Sequence, residues 1–149
     1  MDELQELYRE VILDHNRRPR NFGELPDANH VIEGVNPLCG DKMTLYVKVR
    51  DGKVQDISFK GAGCAISVAS SSLMTERVKG ATVAASLELF EKMHDLLTGA
   101  STSPPEDLDK LAALAGVRDY PTRVKCASLA WHALKAALAD GDDRPVTTE

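Results

Sequence analysis

"MTLYVKVRDGKVQDISFKGAGC", residues 43–64, decides the fold. In MTLYVKVR (43–50), Leu45, Val47 and Val49 alternate with Tyr46, Lys48 and Arg50, the period of a half-buried strand. KVQDISFKG (53–61) repeats the alternation through Val54, Ile57 and Phe59. Between the two runs RDGK carries Asp51-Gly52, a dipeptide that readily supplies the two left-handed residues of a two-residue hairpin turn. The stretch therefore reads as an antiparallel hairpin, with HVIEGV (30–35) upstream as a weaker third strand.

On either side of the hairpin the period becomes helical. Upstream, Leu4, Leu7, Tyr8, Val11, Ile12 and His15 share one face of a helix over residues 3–17, which Asp2 can cap and Pro19 stops. RNFGELPDAN (20–29) is a turn-rich link. Downstream, helices are expected over 64–77, opened by GAGC, and over 82–97, capped by Thr82. A loop (99–107), a short helix (106–115) before Gly116, and a long helix over 121–139 follow, with Pro121 suited to the first turn. Cys126, Leu129, Ala130, Ala133, Ala137 and Leu138 share the inner face of this last helix. The expectation is a single α+β domain over residues 1–140, a small three-stranded antiparallel sheet packed against several helices, with 141–149 as a disordered tail.

Composition narrows the function. Of 149 residues 43% are hydrophobic and only 5% aromatic, so the core has to rest on aliphatic side chains. A net charge of −5 argues against a nucleic-acid binder, which carries a basic face; HNRRPR (15–20) reads as a solvated helix end. The start, MDELQELYRE, has no signal-peptide pattern, and the longest apolar run, AISVA (65–69), is far too short for a membrane span. A cytoplasmic location is expected, where thiols stay reduced, and three cysteines suit a disulfide framework poorly.

Those cysteines carry the chemistry. Cys39, in NPLCGD (36–41), reads as a small hydrophobe, a nucleophile, or half of a ligand pair with Asp41. In an extended segment Cys39 and Asp41 leave the same face, and two such anions repel unless a cation lies between them. Cys64 follows Gly61-Ala62-Gly63 at a strand-to-helix junction; the glycines let something approach closely, and the helix N-terminus favours a thiolate. Its bland reading is a structural cysteine at a chain turn. Cys126 passes for core, although Arg123 and Lys125 add positive charge beside it. Three cysteines and one aspartate suffice for tetrahedral Zn²⁺, and the same thiols can ligate an iron–sulfur cluster, but the long gaps are nothing like CxxC. None of His15, His30, His94 and His132 stands at ligand spacing from a cysteine, and the third glycine of a dinucleotide fingerprint is replaced by Ile66.

LYREVILDHNRRPRN, NPLCGD, GAGCAISVASSSLMTE and RVKCASLAW occur in this order, and together they resemble the U-type iron–sulfur assembly proteins, IscU and SufU, relatives of the NifU N-terminal domain. The resemblance spans about residues 4–139 and favours the SufU branch. Lys125 stands where IscU proteins have histidine, YPTRVK (120–125) replaces their chaperone-binding LPPVK, and the segment between Cys64 and Cys126 is longer. The resemblance implies a metal site at one end of the sheet, with Cys39, Asp41, Cys64 and Cys126 as zinc ligands. It implies that Cys39 accepts persulfide sulfur from a SufS-type cysteine desulfurase and passes it to downstream iron–sulfur assembly proteins. Arg123 is then expected to steady the released Cys39 thiolate. Two rivals stand beside it: a scaffold on which an iron–sulfur cluster is assembled by the same residues, and a zinc ion that only holds the fold.

Overall fold

A computed structural model describes residues 3–37, 40–98, 106–140 and 146–147. Helix α1 (Glu3–Arg17) leads into β1 (His30–Asn36), β2 (Asp41–Arg50) and β3 (Lys53–Ala62), followed by α2 (Ala65–Val78) and α3 (Val83–Thr98). A 3₁₀ helix (Glu106–Asp119), α4 (Pro121–Lys135), a π turn (Ala136–Asp140) and a two-residue strand β4 (Val146–Thr147) complete the order. The α+β expectation holds: β1, β2 and β3 form an antiparallel sheet with several helices against it. Two residues of the tail read as disordered, Val146 and Thr147, pair in parallel with Gly34 and Val35 and extend the sheet to the order β3-β2-β1-β4.

The β2–β3 hairpin closes through Asp51 and Gly52 at φ 54° and 73°, both left-handed, as a primed two-residue turn requires. Val54 and Ile57 are both buried although three residues apart, which strict alternation forbids. A bulge resolves this: Lys48 pairs with Asp56 while Val49 pairs with Val54, so Gln55 is the extra residue that resets the inward face. The buried face of the sheet, through Ile32, Leu45, Val47 and Phe59, meets α2 and α4, and its other face stays partly exposed.

The third downstream helix differs from expectation. Instead of a short α-helix over 106–115, the chain forms a 3₁₀ helix to Asp119. Leu108, Leu111, Leu114 and Val117 are buried, and their spacing of three matches the 3.0-residue turn that aligns them on one side. The last helix is α only to Lys135 and then widens into the π turn. Among the described residues no helix is long and apolar enough to cross a membrane.

Candidate metal centre

Three sequence-distant donors meet at one end of the sheet. Asn36 and Asp41 are the last paired residues of β1 and β2, and next to them Lys42 pairs with Ala62 at the end of β3. From Ala62 the chain passes through Gly63 to Cys64, the N-cap of α2. The second turn of α4 brings Cys126 to the same place, because Gly34 lets α4 lie close on β1: a Cβ there would sit 3.1 Å from Leu129 Cδ1. The ligand atoms of Asp41, Cys64 and Cys126 all lie within 4.8 Å of one another, and among the described residues no histidine joins this group.

The Asp41 carboxylate is fully buried. Its Oδ1 accepts the Cys64 backbone N–H at 2.8 Å, and its Oδ2 accepts from Asn36 Nδ2 at 3.3 Å. Gly63 permits the first contact, since a Cβ at that position would come within 2.5 Å of Asp41 Oδ1. The glycine-led approach expected at GAGC is therefore that of the Asp41 side chain. Among the described residues neither thiol is in a disulfide; Cys64 is half-buried and makes no side-chain cap, while Cys126 is buried. Cys126 Sγ donates to Thr122 O at 3.6 Å and accepts from Asn36 Nδ2 at 3.5 Å. Arg123 is exposed beside them: the charge on Cys64, then hydrogen bonds to Cys126 and Cys64, raise its pKa above the ordinary guanidinium value.

A metal ion fits this donor set. A buried carboxylate whose donors among the described residues are two neutral N–H groups is costly to hold as an anion, and a cation among the three ligand atoms removes that cost. Two thiols select a borderline-soft ion such as Zn²⁺, or iron in a cluster, over Mg²⁺ or Ca²⁺. With bonds of about 2.0–2.3 Å a tetrahedral zinc site has its donors roughly 3.5 Å apart, so small inward movements suffice.

Of the sequence-predicted site residues, Asp41, Cys64 and Cys126 come together with Arg123 at their side. Cys39 lies outside the described residues. The histidines serve elsewhere. His15 is buried with Nδ1 2.7 Å from Ser72 Oγ, and His94 and His132 gather around Phe90. The residue that sequence reasoning missed is Asn36. Its signal was its place before a four-residue connection, which makes it the cross-strand partner of Asp41.

Comparison with known proteins places this arrangement in context. Residues 7–127 match the NifU-like N-terminal domain. The zinc-dependent sulfurtransferase SufU of Bacillus subtilis is 41% identical over 136 residues, covering 91% of this chain and 92% of that protein. The iron–sulfur cluster assembly scaffold protein IscU of Thermotoga maritima is 42% identical over 132 residues, 89% of this chain and 92% of its own. The crystal structure of a putative iron–sulfur cluster assembly scaffold protein for the SUF system from Fervidobacterium islandicum superimposes with a TM-score of 0.82 at 35% identity, covering 90% of this chain and 98% of that one.

Proposed function

This chain belongs to the family of NifU-like N-terminal domains, with the IscU and SufU proteins of iron–sulfur cluster assembly, and from that premise we propose that it is a zinc-dependent sulfur acceptor. The observation that carries the reading is the meeting of one buried carboxylate and two cysteine thiols beside a guanidinium. Asp41, Cys64 and Cys126 would hold zinc, and Cys39, tethered to Asp41 by one intervening residue, would be the fourth ligand. The metal would keep the thiols deprotonated at neutral pH.

Cys39 is the acceptor. Once free of the metal, its thiolate attacks the outer sulfur of a persulfide on the active-site cysteine of a SufS-type desulfurase. A bond forms between Cys39 Sγ and that sulfur, and the sulfur–sulfur bond of the partner breaks. The partner's cysteine leaves as a thiolate and Cys39 keeps a persulfide, so no outside electron is needed. Arg123 stabilises the thiolate of Cys39 before the attack. Pyridoxal phosphate belongs to the desulfurase, and downstream iron–sulfur assembly proteins take the sulfur on. The second reading, a scaffold that assembles a cluster on the same four residues, draws on the relatives that bear the scaffold name.

The test is sulfide release by a SufS-type desulfurase supplied with cysteine and reductant. Zinc-loaded protein should stimulate it strongly, and Cys39→Ser that retains zinc should not. No stimulation from folded, zinc-loaded protein would favour the scaffold. Arg123→Ala should keep zinc and lose about fivefold in stimulation, a modest effect because an exposed cation is screened. Unchanged stimulation would remove Arg123 from the mechanism.

A further inference from the structure

We propose that Asn36 is a positioning residue of the metal centre, its amide holding Asp41 and Cys126 at the spacing a shared ion requires. The inference rests on the zinc reading of the site and goes beyond it to a residue that is itself no ligand.

Asn36 is fully buried at the end of β1. Its Nδ2 faces two of the three donors at once, Asp41 Oδ2 at 3.3 Å and Cys126 Sγ at 3.5 Å. An amide nitrogen has two hydrogens, enough to donate to both ligand atoms, which lie within hydrogen-bond distance of it. Turning the amide over would set Oδ1 against a carboxylate oxygen and a sulfur, so electrostatics fixes the orientation. Oδ1 has no hydrogen-bond partner among the described residues although it is buried. An unpartnered buried carbonyl oxygen costs about 1–3 kcal/mol, which an apolar side chain would avoid. The amide is therefore poorly explained as core packing and well explained by what its nitrogen does.

The effect follows from the elements it joins. Asp41 is on β2 and Cys126 on α4, and the Asn36 amide on β1 reaches both. Asp41 is bound on its other oxygen to the Cys64 N–H, so one carboxylate is oriented from both sides. With zinc bound and Cys126 deprotonated, donation from Nδ2 to the sulfur would draw density from it, making it a fixed and less nucleophilic ligand. Partners that orient metal ligands in this way are worth about 10–100-fold in metal affinity.

The experiment compares wild type with Asn36→Leu, which keeps about the same volume and removes the donor without adding a ligand, and Asn36→Ala. Zinc affinity is measured by chelator competition, and Co²⁺-substituted protein is examined for its ligand-field and thiolate charge-transfer bands. Circular dichroism of the zinc-loaded proteins reports folding. Both variants should fold, bind zinc about 10–100-fold more weakly, and show altered cobalt bands. Unchanged affinity and cobalt bands in both variants would overturn the proposal while leaving the zinc reading intact. Failure of both variants to fold with zinc would assign Asn36 to the core and overturn it equally. A wild type without thiolate-to-cobalt bands or zinc affinity would overturn the zinc reading itself, and this inference with it.

Discussion

Gly63 is the smallest residue at the centre and the one with the least room to change. Its missing Cβ leaves the space through which Asp41 Oδ1 reaches the Cys64 N–H. Gly63→Ala should displace that carboxylate and weaken zinc binding by about tenfold or more in chelator competition; unaltered affinity would mean that Asp41 is not a ligand. His15 supplies a prediction away from the metal. Burial, then Arg20, lowers its pKa below the ordinary value; Lys110 acts the same way, while Glu76 and Asp14 oppose them. The unfolded chain then binds a proton that the folded chain resists, so stability is full above about pH 6.5 and falls as the pH drops below it. One proton contributes at most about 1.4 kcal/mol per pH unit. Urea unfolding between pH 5 and 7.5 should show a shallower slope for His15→Phe than for wild type. His132, shifted down by its own burial and by His94 and Lys135, leaves a remainder of the same sign. At this scale the sequence announced Cys64, Cys126 and Asp41 by residue type. It did not announce Asn36, because an asparagine before proline reads equally as turn chemistry until its cross-strand partner is known.

At the scale of elements, legibility followed period. The hairpin was plain because Asp-Gly selects its turn and alternation marks its strands. The bulge at Gln55 was implicit in Val54 and Ile57 standing three apart. The 3₁₀ helix was written as a spacing of three in Leu108, Leu111, Leu114 and Val117, which over a short window looks like one face of an α-helix. The end of β3 is the most demanding local geometry. Gly61 has φ +144°, and a Cβ there would overlap the Lys42 carbonyl oxygen on β2. Because the obstacle is backbone, Gly61→Ala should destabilise by about 2 kcal/mol or more, lowering Tm by about 4 °C or more in a thermal melt. A neutral substitution would show that β2 and β3 separate freely at the metal end.

Over the whole molecule, the long connections do the work that close motif spacing does in a zinc finger. Both outer edges of the antiparallel sheet are engaged. Gly23 N–H donates to Phe59 O and Phe59 N–H to Asn21 O along β3, while β4 pairs along β1. This leaves the end of the sheet, where the paired ends of β1 and β2, the β3–α2 junction and α4 meet, as the place where Asp41, Cys64 and Cys126 converge. That convergence could not be read from spacing; it required the register of β1 on β2 and the close seat of α4 on Gly34. The most direct test of the account is to locate the sulfur. Zinc-loaded protein would be mixed with a SufS-type desulfurase and cysteine without reductant, trapped with an alkylating agent, and mapped by peptide mass spectrometry. The account predicts one added sulfur on the peptide containing Cys39, with Cys64 and Cys126 unmodified and zinc retained. Sulfur on Cys64 or Cys126, or none on a folded, zinc-loaded protein beside an active desulfurase, would contradict it.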